Sequence, residues 1–189
     1  MHLSNKHISQ LLQQCRNGEQ NAQFEIYKCY YKVMYNTAIR ILKDRFEAED
    51  IMQESFLTAF SKLNTFRAES VYGDLHVPFG SWLKRIVINK SLSQLKRNNT
   101  NISWNDNLVF EEDLNEIDTN FISIKVNEIL KLIKTLKNNY RVILTLSLIE
   151  GFDNDEIAII LKMNNQQVRT TISRAKSKLR NQLNKHNGI

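Results

Sequence analysis

Apolar residues recur at intervals of three and four along most of the chain, which is the period of an amphipathic α-helix. The pattern predicts helices over residues 4–16, 21–42, 44–63, 82–97, 122–137, 140–150, 156–162 and 165–184. A single proline and five glycines in 189 residues agree with a helix-rich chain. The sequence therefore predicts an all-α protein.

The third predicted helix carries two different faces. Asp44, followed three residues later by Glu47, has the spacing of a capping box and predicts where the helix begins. The carboxylates of Glu47, Asp50 and Glu54 fall together on one face. Solvation of a polar face near the positive end of the helix dipole explains these carboxylates without any partner. Acid–base chemistry or a metal site is not supported, because no histidine or cysteine lies nearby. The apolar stripe of this helix consists of Ala48, Met52, Phe56, Ala59, Phe60 and Leu63.

The second predicted helix carries a longer stripe that is rich in aromatic residues. Aromatic stripes at helical spacing usually form a protein core, so we expect these side chains to be buried. They are Phe24, Tyr27, Tyr31, Met34, Tyr35, Ala38, Ile41 and Leu42.

Positive charge is concentrated on the fourth predicted helix and on the last one. A solvated helix face normally mixes both signs of charge, whereas these two helices carry no acidic residue. Together with a net charge of +6, this favours contact with a polyanion such as nucleic acid. The basic residues are Lys84, Arg85, Lys90, Lys96 and Arg97 on the fourth helix, and Arg169, Arg174, Lys176, Lys178, Arg180 and Lys185 on the last.

The last third of the chain has the pattern of a helix-turn-helix. Gly151 ends one helix, and Asp153 with Glu156 forms a second capping-box spacing for the next. Asn164 is the predicted N-cap of the final, basic helix. Two short helices joined by a tight turn, the second of them basic, are typical of proteins that insert a helix into the major groove of DNA.

The segment 99–120 is acidic and contains no lysine or arginine after residue 99. Such a composition is typical of a solvated, flexible tether. We therefore expect an N-terminal helix or extension over 1–20, a helical domain over 21–98, a linker over 99–120 and a second helical domain over 121–189.

Cys15 and Cys29 match no disulfide framework or metal pattern and suit a reducing cytoplasm. The polar N-terminus contains no secretory or membrane-spanning run, so no membrane insertion is expected. No cofactor or metal is expected either, since the scattered histidines form no evident site.

The stretch EAEDIMQESFLTAF, preceded by YYKVMYNTAIRILKDR and followed by FRAES and SWLKRI, resembles region two of bacterial RNA polymerase sigma factors of the compact extracytoplasmic-function group. The stretch YRVILTLSLIEGFDNDEIAIILKMNNQQVRTTISRAKSKLRNQL resembles region four of the same family. The resemblance implies a dissociable subunit of RNA polymerase that directs promoter recognition, strand opening and transcription initiation and is not an enzyme. Core RNA polymerase and promoter DNA are its implied partners, and an anti-sigma factor is left open. For the acidic segment 99–120 the resemblance implies a connector that threads the polymerase cleft, an interpretation that stands beside that of a solvated tether.

The resemblance also implies three sets of contact residues. Those implied to contact core polymerase are Glu47, Asp50, Ile51, Gln53, Glu54 and Phe56. Those implied at the minus-ten element are Asn64, Phe66, Arg67, Phe79, Trp82, Arg85, Asn89, Lys90, Lys96 and Arg97. Those implied at the minus-thirty-five element are Asn165, Gln166, Gln167, Arg169, Thr170, Thr171, Arg174, Lys176 and Lys178.

The chain departs from the family pattern at three places. VYGDLHVP at 71–78 is inserted before the SWL motif, while Ile88 and Thr171 stand where the family often has a basic residue. Two alternatives remain from the residues alone. One is a stand-alone helix-turn-helix regulator. The other is a carboxylate-dependent hydrolase using Asp50 and Glu54, which lacks a nucleophile, a metal ligand and a phosphate loop.

Overall fold

The computed structural model describes residues 5–66, 79–98 and 126–186. All regular structure in these residues is helical, which confirms the predicted all-α class. The chain divides into two units, Met1–Asn98 and Asn99–Ile189. The predicted insertion at 71–78 and the predicted linker lie outside the described residues. Of the described helices, none is both long enough and apolar enough to cross a membrane.

Within residues 5–66 and 79–98, the first unit shows four α-helices and one short 3₁₀ turn. They are α1 (Asn5–Arg16), α2 (Gln20–Leu42), α3 (Arg45–Ser61), the 3₁₀ turn (Leu63–Thr65) and α4 (Phe79–Asn98). Gly18 allows the tight turn between α1 and α2, because it adopts a left-handed φ of +84°. Asp44 caps α3 as predicted, with its carboxylate accepting hydrogen bonds from the backbone N–H groups of Phe46 and Glu47 at 2.9 and 3.0 Å.

The core of this unit lies where α2, α3 and α4 pack against one another. The stripe predicted on α3 is confirmed except for Phe60, which is only half-buried. α1 belongs to the same unit, because its residues Leu11, Leu12 and Cys15 are buried. Helix α1 thus contributes to the core of this unit.

The stripe predicted on α2 is only partly correct. From Met34 onward its apolar residues are buried or half-buried, but Phe24 is 59% exposed and Tyr31 is 44% exposed. Ala22 and Ile26 face the core in their place. Residues two apart on a helix point in nearly opposite directions, so a helix that turns Ile26 inward turns Phe24 outward. The exposed Phe24 ring instead lies 4.9 Å from the ammonium group of Lys28.

The second unit contains four described helices and a π-helical turn. They are α5 (Val126–Thr135), α6 (Asn138–Leu144), the π-helical turn that continues it (Thr145–Ile149), α7 (Asn154–Leu161) and α8 (Asn165–His186). Gly151 ends the π-helical turn with a φ of +79°, as its predicted capping role requires. The capping box at the start of α7 is complete: Asp153 accepts from the Glu156 backbone at 2.8 Å, and Glu156 accepts from the Asp153 backbone at 3.1 Å.

The core of the second unit is formed by α6, α7 and α8 around fully buried aliphatic residues. Arg141 is buried among them and donates a hydrogen bond from Nη1 to the Oδ1 of Asn138 at 2.6 Å. Burial lowers the pKa of Arg141 to about 10, so its guanidinium remains charged at neutral pH. Removing the Asn138 side chain would leave a buried donor of a charged group without this acceptor, which costs free energy.

Candidate nucleic-acid and partner interfaces

The outer face of α3 is both acidic and apolar. Asp50, Gln53 and Glu54 are exposed there, as the sequence predicts. Phe46 is 82% exposed and Leu57 is 70% exposed. Phe46, Asp50, Gln53 and Leu57 follow one another at spacings of four, three and four residues, which places them on one face of the helix. Phe46 and Leu57 were not predicted from the sequence, although their spacing from Asp50 and Gln53 was the available signal.

Two of the residues implied as polymerase contacts lie in the core instead. Ile51 is 8% exposed and Phe56 is 2% exposed. Both fall on the side of α3 that packs on its neighbours, and the ring of Phe56 lies 4.9 Å from that of Tyr27. They can support the outer face from beneath but do not form its surface.

Two of the acidic residues of α3, Glu47 and Glu54, bond to α4 at the edge of this outer face. Glu54 forms an ion pair with Lys90, with 3.1 Å between Oε2 and Nζ. Oε1 of Glu47 accepts a hydrogen bond from Gln94 at 3.1 Å and one from Asn98 at 2.7 Å. The acidic face of one helix is therefore joined to the polar face of the other, and Lys90 is already engaged within the protein.

An aromatic cluster lies at the start of α4. Ring centroids are 5.6 Å apart for Phe66 and Phe79, 5.1 Å for Phe66 and Trp82, and 5.6 Å for Tyr30 and Phe79. Phe66 and Phe79 are buried, whereas Trp82 is only half-buried. Burial raises the pKa of the Tyr30 phenol, so this group is neutral at physiological pH. A side chain at position 80 would clash with this cluster, because a Cβ atom on Gly80 would lie only 2.8 Å from the Tyr30 ring. Of the implied minus-ten aromatic residues, Trp82 alone is accessible for stacking.

The other implied minus-ten residues lie mostly on the surface. Ile88, which stands where the family often has a basic residue, is fully buried and packs in the core. Arg67 lies outside the described residues. Asn64, Asn89, Lys96 and Arg97 are exposed, and Arg85 is half-buried.

Sequence reasoning missed one contact near this cluster. Nη2 of Arg16, at the end of α1, donates a hydrogen bond to the backbone carbonyl of Phe66 at 3.2 Å. The sequence carries no signal for this bond, since the two residues are fifty positions apart. α1 thereby holds the segment that enters the aromatic cluster.

The final helix, α8, has one buried face and one exposed face. The buried face repeats at three- and four-residue spacing and consists of Val168, Ile172, Ala175, Leu179 and Leu183. At about 100° per residue, Gln166, Thr170 and Ser173 point away from this stripe. Gln166 and Ser173 are exposed and Thr170 is half-buried. Ser173 was not predicted, although it lies three residues after Thr170.

Three of the implied minus-thirty-five residues already hold the first turns of α8. Asn164 accepts from the Gln167 backbone at 2.8 Å, and Oε1 of Gln167 accepts from the Asn164 backbone at 2.9 Å. Nδ2 of Asn165 donates to Asp155 on α7 at 2.6 Å. The hydroxyl of Thr171 donates to the Gln167 carbonyl at 2.7 Å. These bonds fix the turn between α7 and α8, whereas no bond of this set involves the side chains of Gln166 and Thr170.

The basic residues of α8 flank this outward face on both sides. Arg169, Lys176 and Lys178 are exposed, and Arg174 is half-buried. Arg169 and Lys176, seven residues apart, share one flank, whereas Arg174 and Lys178 share the other. Such an arrangement suits a helix whose first turns meet base edges while basic side chains further along its two flanks meet the phosphate backbones.

No group of three histidine, cysteine or acidic side chains within the described ranges is placed to hold a metal ion. Burial raises the thiol pKa of both Cys15 and Cys29, so neither is activated as a nucleophile.

An all-helical chain whose second unit ends in a helix-turn-helix with a one-signed outer helix defines a class of DNA-binding proteins. The family model for Sigma-70 region 2 matches residues 26–100, and that for Sigma-70, region 4 matches residues 127–179. This chain belongs to the sigma-70 family of bacterial RNA polymerase sigma factors, in the extracytoplasmic-function group. The resemblance seen in the sequence is thus confirmed, as are the function in promoter-directed transcription initiation and the partners, core RNA polymerase and promoter DNA.

Curated relatives match over nearly the whole chain. ECF RNA polymerase sigma factor SigW of Bacillus subtilis is 27% identical, with 93% of this chain and 96% of the relative covered. RNA polymerase sigma-H factor of Pseudomonas aeruginosa is also 27% identical, with 92% of each covered. Among solved structures, the sigma factor RpoE in complex with the anti-sigma factor NepR from Bartonella quintana superposes with a TM-score of 0.55 at 21% identity, covering 84% of this chain and 94% of that one. This likeness confirms the fold.

Proposed function

We propose that this sigma factor divides its work among three surfaces: the outer face of α3 binds core polymerase, α4 binds the minus-ten element, and α8 reads the minus-thirty-five element. The observation that carries the proposal is the separation of charge. The outer face of α3 is acidic and apolar, whereas α4 and α8 carry basic residues and no acidic ones. Surfaces of opposite sign suit different partners, because complementary charge steers encounter and fixes register.

On α3, the proposed polymerase contacts are Asp50, Gln53 and Glu54, together with the exposed side chains of Phe46 and Leu57. Exposed apolar groups among carboxylates form a surface with an apolar centre and a charged rim. A basic, partly apolar helical partner matches both features. Ile51 and Phe56 hold this surface in place from the core.

On the minus-ten side, Trp82 offers a half-exposed ring for stacking with an extruded base. Asn64 and Asn89 offer amide groups that can hydrogen-bond to base edges. Lys96 and Arg97 are exposed near the end of α4 and serve as phosphate contacts. Capturing an extruded base offsets the unstacking energy of a few kcal/mol, so strand opening needs binding energy and no covalent chemistry.

On the minus-thirty-five side, Gln166, Thr170 and Ser173 face outward from the centre of α8. Arg169 lies beside them within the first turns and can reach a guanine edge with two hydrogen bonds. The basic residues further along, Lys176 and Lys178 among them, contact phosphates and set the register of the helix.

We infer further that the protein performs no catalysis of its own and acts in the cytoplasm, where its polymerase partner works. Two structural neighbours were solved as complexes, the sigma factor RpoE with the anti-sigma factor NepR, and CnrH with the cytosolic domain of CnrY. The CnrH structure matches with a TM-score of 0.52 at 19% identity, covering 92% of this chain and 95% of that one. By this analogy, an anti-sigma factor that covers one of the three surfaces would restrain this chain.

Run-off transcription tests the proposal. Core polymerase from the source bacterium is incubated with fragmented genomic DNA, with and without the purified protein. Template-specific transcripts that appear only with the protein are the expected result. Specific binding to the same fragments without core polymerase, and no transcripts with it, would favour the stand-alone helix-turn-helix regulator.

A further inference from the structure

Glu47 belongs to α3, but its carboxylate is directed toward the end of α4. Its Oε1 accepts a hydrogen bond from Nδ2 of Asn98 at 2.7 Å and another from Nε2 of Gln94 at 3.1 Å. Gln94 also donates to Oδ1 of Asn98 at 3.3 Å. One carboxylate oxygen thus holds two side chains that stand a helical turn apart.

The contact lies beside the basic C-terminal turn of α4. Lys96 and Arg97 stand between Gln94 and Asn98 in the sequence, and both are exposed. The last turn of a helix frays readily, because its carbonyl groups have no partners within the helix. Hydrogen bonds accepted by a carboxylate are stronger than those between neutral groups. The bonds to Glu47 therefore restrain the turn that carries the two cations.

Glu47 also differs from its neighbours on α3. Glu54 pairs with Lys90 while its own side chain stays 60% exposed, so water and salt weaken that pair. Asp50 is exposed on the outer face. Glu47 is half-buried between the two helices, which leaves it poorly placed for an external partner.

We propose that Glu47 is a positioning residue for the DNA-binding helix: through Gln94 and Asn98 it directs Lys96 and Arg97 toward the phosphates of the minus-ten region, and it does not contact core polymerase. The inference rests on the function proposed for α4. It reassigns a residue that the sequence placed in the polymerase interface.

Two substitutions of Glu47 distinguish the loss of its hydrogen bonds from the loss of its negative charge. Glu47→Gln removes the charge but keeps an oxygen that can accept both hydrogen bonds, whereas Glu47→Ala removes both. Each full-length variant is reconstituted with core polymerase, and binding of the holoenzyme to one promoter is measured across a series of salt concentrations. Glu49→Gln is the matched control, because it removes an exposed carboxylate from the same helix.

We expect Glu47→Ala to flatten the dependence of log affinity on log salt by about one unit for each cation that no longer meets a phosphate, thus by about one to two units. Glu47→Gln and the Glu49→Gln control should keep the wild-type slope. All three variants should bind core polymerase as wild type does. Asn98→Ala should reproduce part of the Glu47→Ala effect, and the double variant should be no worse than Glu47→Ala alone.

Two results would overturn the inference. Loss of core binding in Glu47→Gln would show that the charge contacts polymerase. A wild-type salt slope in Glu47→Ala would show that the carboxylate positions nothing. Thermal melting identifies a variant that fails to fold. If Glu47→Ala does not fold, the salt dependence of promoter binding is measured for the surface variant Asn98→Ala, and a wild-type slope there would overturn the inference. Failure of the wild-type holoenzyme to bind any promoter would instead contradict the proposed function itself.

Discussion

Four consecutive amide side chains begin the final helix, and the structure assigns them different roles. Asn164 and Gln167 cap the helix reciprocally, whereas Gln166 points outward. Asn164→Ala removes the Oδ1 atom that accepts the Gln167 backbone N–H at 2.8 Å. Gln166→Ala removes an exposed side chain from the same turn. Comparing these two variants therefore tests whether capping of the helix and recognition of the DNA depend on different side chains.

The expected size of the effect follows from the missing cap. Replacing an N-cap asparagine by alanine costs about 1 kcal/mol, within a range of roughly 0.5–2 kcal/mol. Because 1 kcal/mol is about a fivefold change in an equilibrium constant, amide protection in the first turn of α8 should fall about fivefold. Gln166→Ala should leave protection almost unchanged, since surface substitutions away from such features stay within about 0.5 kcal/mol.

Hydrogen exchange of the full-length variants, read at the Gln167 amide and its neighbours, measures the first quantity. The preferred promoter sequence is measured with a library of promoters randomised at the minus-thirty-five element and transcribed by each holoenzyme. Asn164→Ala should lower protection and keep the preferred sequence, whereas Gln166→Ala should keep protection and relax preference at one position. Unchanged protection together with an altered preferred sequence in Asn164→Ala would refute the assignment of Asn164 as a cap.

Two further predictions each compare the effects of substituting two residues. Phe56→Ala should destabilise the protein by about 3–5 kcal/mol, because it leaves a cavity in the core. Leu57→Ala should change stability by less than about 0.5 kcal/mol but weaken binding to core polymerase. An equal loss of stability in chemical denaturation would contradict the burial of Phe56 and the exposure of Leu57. Arg169→Ala should change the preferred minus-thirty-five sequence at a cost of about 1–3 kcal/mol, whereas Lys178→Ala should weaken all promoters alike and flatten the salt dependence by about one unit. If Arg169→Ala lowered every promoter equally in the randomised library, that residue would be a phosphate anchor.

Helix positions and core stripes could be predicted well from the sequence where one face is clearly apolar. The stripe of α3 from Ala48 to Ala59 is buried as expected, and Gly151 and Asp153 end and begin helices where predicted. These features depend on local period and local capping chemistry, which a single sequence contains.

The prediction failed on α2, where hydrophobicity alone suggested the wrong face at the N-terminal end. Phe24 is more apolar and larger than Ala22, yet Ala22 packs inward. Which face is buried depends on where α1, α3 and α4 lie, and that information is not local.

Three stretches share the spacing of a capping box, and they show what local spacing can and cannot decide. At Asp153 and Glu156 the box is complete. At Asn164 the partner Gln167 closes it too, so this spacing was an available signal that Gln167 takes part in capping the helix. At Asp44 the aspartate caps α3, but Glu47 turns to α4 instead. The direction of the Glu47 side chain therefore depends on Gln94 and Asn98 of α4, which lie far from it in the sequence.

The central claim is that this chain opens promoter DNA only as a subunit of RNA polymerase. Permanganate footprinting tests it most directly, because permanganate oxidises thymines that are unpaired and unstacked. A promoter found by run-off transcription is probed with the protein alone, with core polymerase alone and with both together. Reactive thymines confined to the minus-ten region, and seen only when both are present, are the predicted result. Full pairing throughout, or the same reactivity with the protein alone, would contradict the account.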